Sequence, residues 1–225
     1  MRHYRGLSAI LLSLLMLVAP VASQGTAEAA LPQKPAPIAA KYVSGKGSPH
    51  DFTLFVGARG ARWDPTMTRK GHSGRVINWH YRTLGNQGRV TAGQIEKALK
   101  PLAAATGFRF RQVAKAKDAE LKYQWVKMPM VDLALGRPDY IARYPGDKHY
   151  TISDGTVQLN IRGDRNLTRN QWQEVLMHET AHVLGLGHAK GSTQIMYARI
   201  TGITRLGRGD VAGLRTVGIW RGAVR

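Results

Sequence analysis

His178-Glu179-Thr180-Ala181-His182 is followed by Val183-Leu184-Gly185-Leu186-Gly187-His188. Side chains four apart on a helix differ by about 40° in azimuth, so the rings of His178 and His182 project toward one point. Gly185 can take positive φ at no steric cost, ending such a helix and bringing His188 in from another side. Three imidazoles leave a fourth position for water. That is the arrangement of catalytic zinc, and nitrogen donors without sulfur agree with Zn²⁺. Glu179 lies beside this point without aiming at it, placed to take a proton from water and return it to a leaving amine. The set suffices for peptide-bond hydrolysis with one catalytic Zn²⁺ per chain.

A paired His with one Glu recurs by chance, but a glycine and a third His at fixed offsets make coincidence rare. The plainer alternatives are a closed, noncatalytic metal site or histidines buried without metal. The second would bury three imidazoles and a carboxyl among Val175, Met177, Ala181 and Leu184, at high cost. His178, Glu179, His182, Gly185 and His188 match every fixed position of the metzincin zinc-peptidase signature, which the chain therefore resembles. Gln194-Ile195-Met196-Tyr197 looks like the methionine turn, at a distance similar to that of the matrixin subgroup. The resemblance implies that Met196 floors the histidines. Two departures are Ala189, where matrixins usually carry Ser, and Ala198, where Pro is usual. Tyr197 adjoins Met196 instead of standing two residues beyond it, as the tyrosine ligand of astacin-like members does, so it is assigned to the wall of the substrate pocket. A matrixin cysteine switch cannot operate in a chain without cysteine.

The elements that must position these groups follow from periodicity and capping. Arg75–Tyr81, Phe108–Val113 and Glu120–Val126 alternate and read as strands. Thr91 with Gln94 forms a capping box, opening a helix through Ile95, Leu99 and Leu102 to Gly107, which Pro101 should kink or end. A strand, a helix and two strands in that order predict a mainly parallel sheet with a crossover helix. Lys148–Ser153 and Thr156–Ile161, separated by Asp154-Gly155, read as a hairpin. Lys148–Ser153 is then the exposed antiparallel edge, with Thr151 bonding an extended substrate. Thr168 with Gln171 caps the helix that carries the histidines, and a last helix starts behind Asp210 as N-cap. With the matrixin resemblance, the expected fold is α+β or α/β. It has a twisted, mainly parallel five-stranded sheet with one antiparallel edge strand, a long crossover helix, the zinc helix and a C-terminal helix.

Composition bounds the rest. The 225 residues are 43% hydrophobic and 21% charged, which excludes disorder, collagen and coiled coil as whole-chain descriptions. The absence of cysteine excludes disulfides, thiolate-bound zinc and a thiol nucleophile. Arg2 and Arg5, the apolar run Leu7–Ala19 and the small residues beyond Pro20 lay out a secretory signal over residues 1–29, cut after Ser23 or Ala29. Residues 30–50, rich in Pro and Lys, read as a linker or pro-segment, and 51–225 as one catalytic domain. The expected product is secreted or bound at the cell surface, monomeric, without a transmembrane partner, and acts on proteins or peptides. The formal charge of +19 favours anionic surroundings. A second reading is thus a basic secreted protein that binds envelope polymer or nucleic acid and keeps zinc only for structure, with Arg59, Arg62, Arg69, Lys70, Arg75 and Trp63 as its surface. His149, Asp147 and Asp154 are weak candidates for a structural Ca²⁺ or second Zn²⁺, because their spacing does not match. Asn166-Leu167-Thr168 is a glycosylation sequon.

Overall fold

The computed structural model describes residues 37–55, 61–63, 76–84, 90–129, 132–142, 150–163 and 166–218. In chain order the strands are Thr53–Leu54 (β1), Ala61–Trp63 (β2), Val76–Arg82 (β3), Arg109–Gln112 (β4), Leu121–Val126 (β5), Ala134–Ala142 (β6), Tyr150–Asn160 (β7) and Leu186–Gly187 (β8). The helices are Ala92–Thr106 (α1), Arg169–Val183 (α2) and Arg208–Val217 (α3). The expected signal segment and the loop holding Asp147 and His149 lie outside the described residues.

Both expected capping boxes start their helices. Thr91 Oγ1 accepts the Gln94 N–H at 3.2 Å while Gln94 Oε1 accepts the Thr91 N–H at 2.8 Å, and Thr168 and Gln171 repeat the exchange. Gly107, at φ 79°, closes α1 in the left-handed region. Pro101 does not end α1, which continues to Thr106.

The main sheet runs β4-β3-β5-β7-β6, with β6 antiparallel to β7 and every other neighbour parallel. The short β2 adds parallel to the first residues of β7, pairing Trp63 with Ile152. Ile77 and Trp79 of β3, Leu121 and Tyr123 of β5 and Val157 and Leu159 of β7 share a buried core with Ile95 and Leu102 of α1 and Leu176 of α2. Tyr123 Oη meets Thr180 Oγ1 at 2.8 Å, tying the sheet's middle to the histidine-bearing helix. Trp63 is buried, so it presents no aromatic surface to a polymer.

The antiparallel edge is present, but a different segment forms it. Residues 150–160 are one strand, with Asp154 opposite Tyr140 and Gly155 opposite both Pro138 and Leu121. No turn occurs at Asp154-Gly155, and the described part of the expected Lys148–Ser153 edge, residues 150–153, lies inside the sheet. Thr151 is buried, paired with Ala142 on one side and Arg62 on the other, so its backbone is taken up by the sheet. Among the described residues the edge is β6, paired on one side only, where its Gly136 and Pro138 are tolerated although they read against a strand. The glycine that mimicked a turn serves packing: a Cβ at Gly155 would run into Val183 Cγ1 of α2. Asp210 is likewise not an N-cap. Gly207 holds that position and Asp210 is the third residue of α3.

Gly155→Ala should therefore destabilise the protein by about 1–3 kcal/mol through overpacking. Val183→Ala in the same chain should recover part of that loss, because it vacates the contested space. Urea unfolding of the two single variants and the pair measures the coupling, and strictly additive effects would disprove this packing role.

Candidate active site

α2 is buried on most of its surface, so its polar residues must find partners or a ligand. His178 Nδ1 lies 2.8 Å from the Ile195 carbonyl, and His182 Nδ1 lies 2.7 Å from the Leu186 carbonyl. A carbonyl can only accept, so both Nδ1 atoms carry the proton and both Nε2 atoms present lone pairs. Those Nε2 atoms stand 3.0 Å apart, and His188 Nε2 is 3.2 Å from that of His182. Nitrogens at two corners of a tetrahedron around zinc are separated by about 3.3 Å for Zn–N bonds of about 2.0–2.1 Å. The donor set fits a small divalent cation with an affinity for imidazole. Among the described residues, this triad is the cluster of His, Asp and Glu able to hold a metal.

Gly185, at φ 111°, makes the turn that brings His188 back. Burial depresses the pKa of all three imidazoles, that of His182 to about 4, with the charge of His178 acting in the same direction. The rings are thus neutral near pH 7, the form that ligates.

Glu179 Oε2 accepts the Gly136 N–H of β6 at 2.6 Å. Burial pushes this carboxyl up to about 7, opposed by that hydrogen bond and by the charge of His188. The approach of β6 to α2 explains Gly136, where a Cβ would collide with the Glu179 backbone. Glu179 and the three histidines open onto a cleft of about 420 Å³ between β6 on one side and Tyr197–Ile200 on the other. Tyr197 stands on its wall. Met196 is buried in the turn behind, its carbonyl accepting the Ala189 N–H at 2.8 Å, next to His188. Thr151 does not line this cleft.

Three further residues shape the site, and sequence reasoning did not single them out for it. Gly136 is the first, and no local pattern marks it, since a glycine at 136 and a proline at 138 both read against a strand. The second is Asp210, whose carboxylate accepts the N–H groups of Ile195 at 2.6 Å, Met196 at 3.1 Å and Gly207 at 2.7 Å. Gln194 Oε1 returns the bond by accepting the Asp210 N–H at 3.1 Å. Burial pushes the Asp210 carboxyl up to about 6, against the pull of those donors. The turn whose Ile195 carbonyl orients His178 is thereby clamped to α3. Third, Glu174, one helical turn before His178, is buried and accepts from the Thr201 N–H, the Thr201 hydroxyl and the Gly202 N–H, fixing the far end of the cleft wall. Its i−4 spacing from His178 was the readable clue.

A parallel sheet with an antiparallel edge, two helices on one face and three imidazoles converging beside a glutamate define a metzincin-type site. The sequence model of the matrixin family matches residues 75–217, from β3 to the end of α3. The chain belongs to the matrixins and is a zinc metallopeptidase. Comparison with curated proteins finds no match. Among the described residues no helix is long and apolar enough to cross a membrane.

Asp210→Ala orphans three backbone donors, two of them in the turn that orients His178. Each buried orphan costs about 1–3 kcal/mol, so a total loss of at least about 3 kcal/mol is expected by urea unfolding. A loss below about 1 kcal/mol would show that water replaces the carboxylate.

Proposed function

We propose that the chain is a secreted zinc endopeptidase that binds extended protein segments along β6 and cuts them beside Glu179. The observation that carries this reading is the joint geometry of the site: three Nε2 atoms converging beside a carboxylate whose position is set by a backbone N–H. In this reading His178, His182 and His188 are the ligands, Met196 supports them from the buried turn, and Tyr197 contacts substrate. The signal over residues 1–29 and the catalytic domain over 51–225 belong to the same proposal.

Zinc, when bound, supplies Lewis acidity toward a carbonyl oxygen and lowers the pKa of a water toward neutrality. The protein supplies orientation and proton transfer. Glu179 takes the proton of the attacking water on one carboxylate oxygen while the Gly136 N–H holds the other, so the group cannot swing away. The same carboxyl then returns the proton to the leaving nitrogen.

Backbone alternation gives the substrate its place. In an antiparallel strand the N–H and C=O of one residue point to the same side, and sides alternate along the chain. The Leu133 carbonyl accepts the Asn160 N–H and so faces β7, whereas the Gly136 N–H faces Glu179. Ala134 therefore turns both backbone groups toward the cleft, as Gly136 does its carbonyl, and Pro138 occupies an outward position where no N–H is required. An extended peptide can pair there as an added strand.

Glu179→Gln keeps the size of the side chain and loses the proton acceptor. Zinc content should stay at one per chain by mass spectrometry while peptide hydrolysis falls about 10²–10⁴-fold, with the upper end favoured because one group serves two transfers. Hydrolysis within tenfold of the unmutated rate in a folded, zinc-loaded variant would refute the role.

Ala134→Pro deletes one outward N–H and leaves the bonds to β7. KM should rise more for peptides long enough to pair along β6 than for short ones, measured with a length series sharing one cleavage site. Equal effects at all lengths would remove β6 from the binding mode.

A further inference from the structure

The segment ahead of the main sheet is tied to the loop that carries the third imidazole. Phe55 N–H donates to the Gly185 carbonyl at 2.7 Å, and β1 pairs antiparallel with β8, Thr53 with Gly187 and Leu54 with Leu186. Thr53 Oγ1 donates to the His188 carbonyl at 2.7 Å. Asp51 closes the far end of the loop, its two carboxylate oxygens accepting the Lys190 and Gly191 N–H groups at 2.9 Å each. The fit is tight, since a Cβ at Gly187 would meet Thr53 Oγ1 and one at Gly191 would come within 2.6 Å of Asp51 Oδ2. Leu186 also supplies the carbonyl that orients His182, so the same five residues act on two of the three imidazoles.

The segment is anchored in its turn. Val43 bridges to Leu206, the Arg208 N–H donates to the Lys46 carbonyl at 2.9 Å, and Phe52 lies against Gly213 of α3. Apart from these contacts the loop is held by the burial of Leu186 and by the Ala189 N–H on the Met196 carbonyl, on either side of His188. Gly185 and Gly187 flank Leu186, and free glycines have more conformational entropy to lose than any other residue. His188 is exposed, so core packing does not fix its ring.

We propose that Asp51–Phe55 is a clasp that presets His188 for metal binding, so that the chain holds zinc tightly only while this segment stays attached and docked. The proposal rests on the metal reading of the three histidines. A metal bound by a loop competent only a fraction of the time shows an affinity reduced by that fraction. Groups that orient ligands commonly contribute 10–100-fold in metal affinity. Any proteolytic maturation must then cut before Asp51, and a cut within 51–55 or just after it would lower the metal affinity of an otherwise complete site.

The test uses the full chain with Asp51→Ala and Thr53→Val combined, zinc affinity being measured by competition with a chromophoric chelator. Amide exchange of the zinc-free protein is followed in parallel. The variant should bind zinc about 10–100-fold more weakly, and the Lys190 and Gly191 amides should exchange faster while those of α2 keep their protection. Thr53→Ser should bind zinc like the unmutated chain, because it keeps the hydroxyl. If the double variant does not fold, Thr53→Val alone carries the test, with a loss of at least about threefold expected. Zinc affinity within twofold of the unmutated chain in a folded double variant, or in Thr53→Val where only that folds, would overturn the proposal. Unchanged amide exchange would also overturn it. An unmutated chain that binds no zinc would instead overturn the metal reading, and in that case the exchange data still decide whether the segment sets the loop.

Discussion

Two backbone carbonyls decide the chemistry of this protein. By accepting the Nδ1 protons of His178 and His182, the Ile195 and Leu186 carbonyls force the opposite ring nitrogens to present lone pairs to each other at 3.0 Å. Lone pairs at that distance repel unless a cation lies between them, and burial withholds the protons that would otherwise relieve them. The nitrogen atoms able to hold a metal are thus aimed by main-chain geometry. It follows that whatever fixes those carbonyls also fixes the site.

That dependence explains where the fold spends its buried polar groups. The Ile195 carbonyl sits in a turn clamped to α3 by the Asp210 carboxylate and the Gln194 amide. The Leu186 carbonyl sits in β8, paired with β1. Glu174 uses its oxygens on Thr201 and Gly202, and Glu179 rests one oxygen on the Gly136 N–H. In all three cases a carboxylate binds backbone N–H groups, with no basic side chain among those donors. A chain of formal charge +19 has cations in excess, yet its site is held by main-chain dipoles. Such donors have fixed direction and carry no side-chain entropy, which suits a geometry that must hold to a few tenths of an ångström.

The helical spacing of His178 and His182, the glycine turn before His188 and both capping boxes were legible because each is a local rule acting over a few residues. The parallel order of β3, β4 and β5 was legible for the same reason, alternating runs separated by a helix. What failed was non-local. Asp154-Gly155 has the composition of a tight turn, but Gly155 is required by Val183 of α2, a contact absent from any local window. β6 carries Gly136 and Pro138, which lower strand propensity. Its place depends on the free side of an edge and on Glu179, forty-three residues away. Asp210 was recognised as belonging to the start of α3, though its true work, on Ile195 and Met196, crosses between elements. Residues 37–50, too poor in apolar groups to fold alone, find order against Leu206 and α3 instead.

The energetics of the metal then set the division of labour. Zinc bound to a protein site contributes about 10–16 kcal/mol in folded zinc peptides, as much as the whole net stability of a typical domain, about 5–15 kcal/mol. A protein could leave its fold to that one interaction, as zinc fingers do. This chain instead has a continuous core from Trp63 to Val217 and has oriented its imidazoles through carbonyls that belong to the fold. A cation's binding free energy would then not be consumed in folding the domain, and two of the three imidazoles able to hold it have tautomer and direction already fixed. The third imidazole, His188, is exposed on the glycine-flanked loop, so its position rests on that loop's backbone contacts and not on core packing.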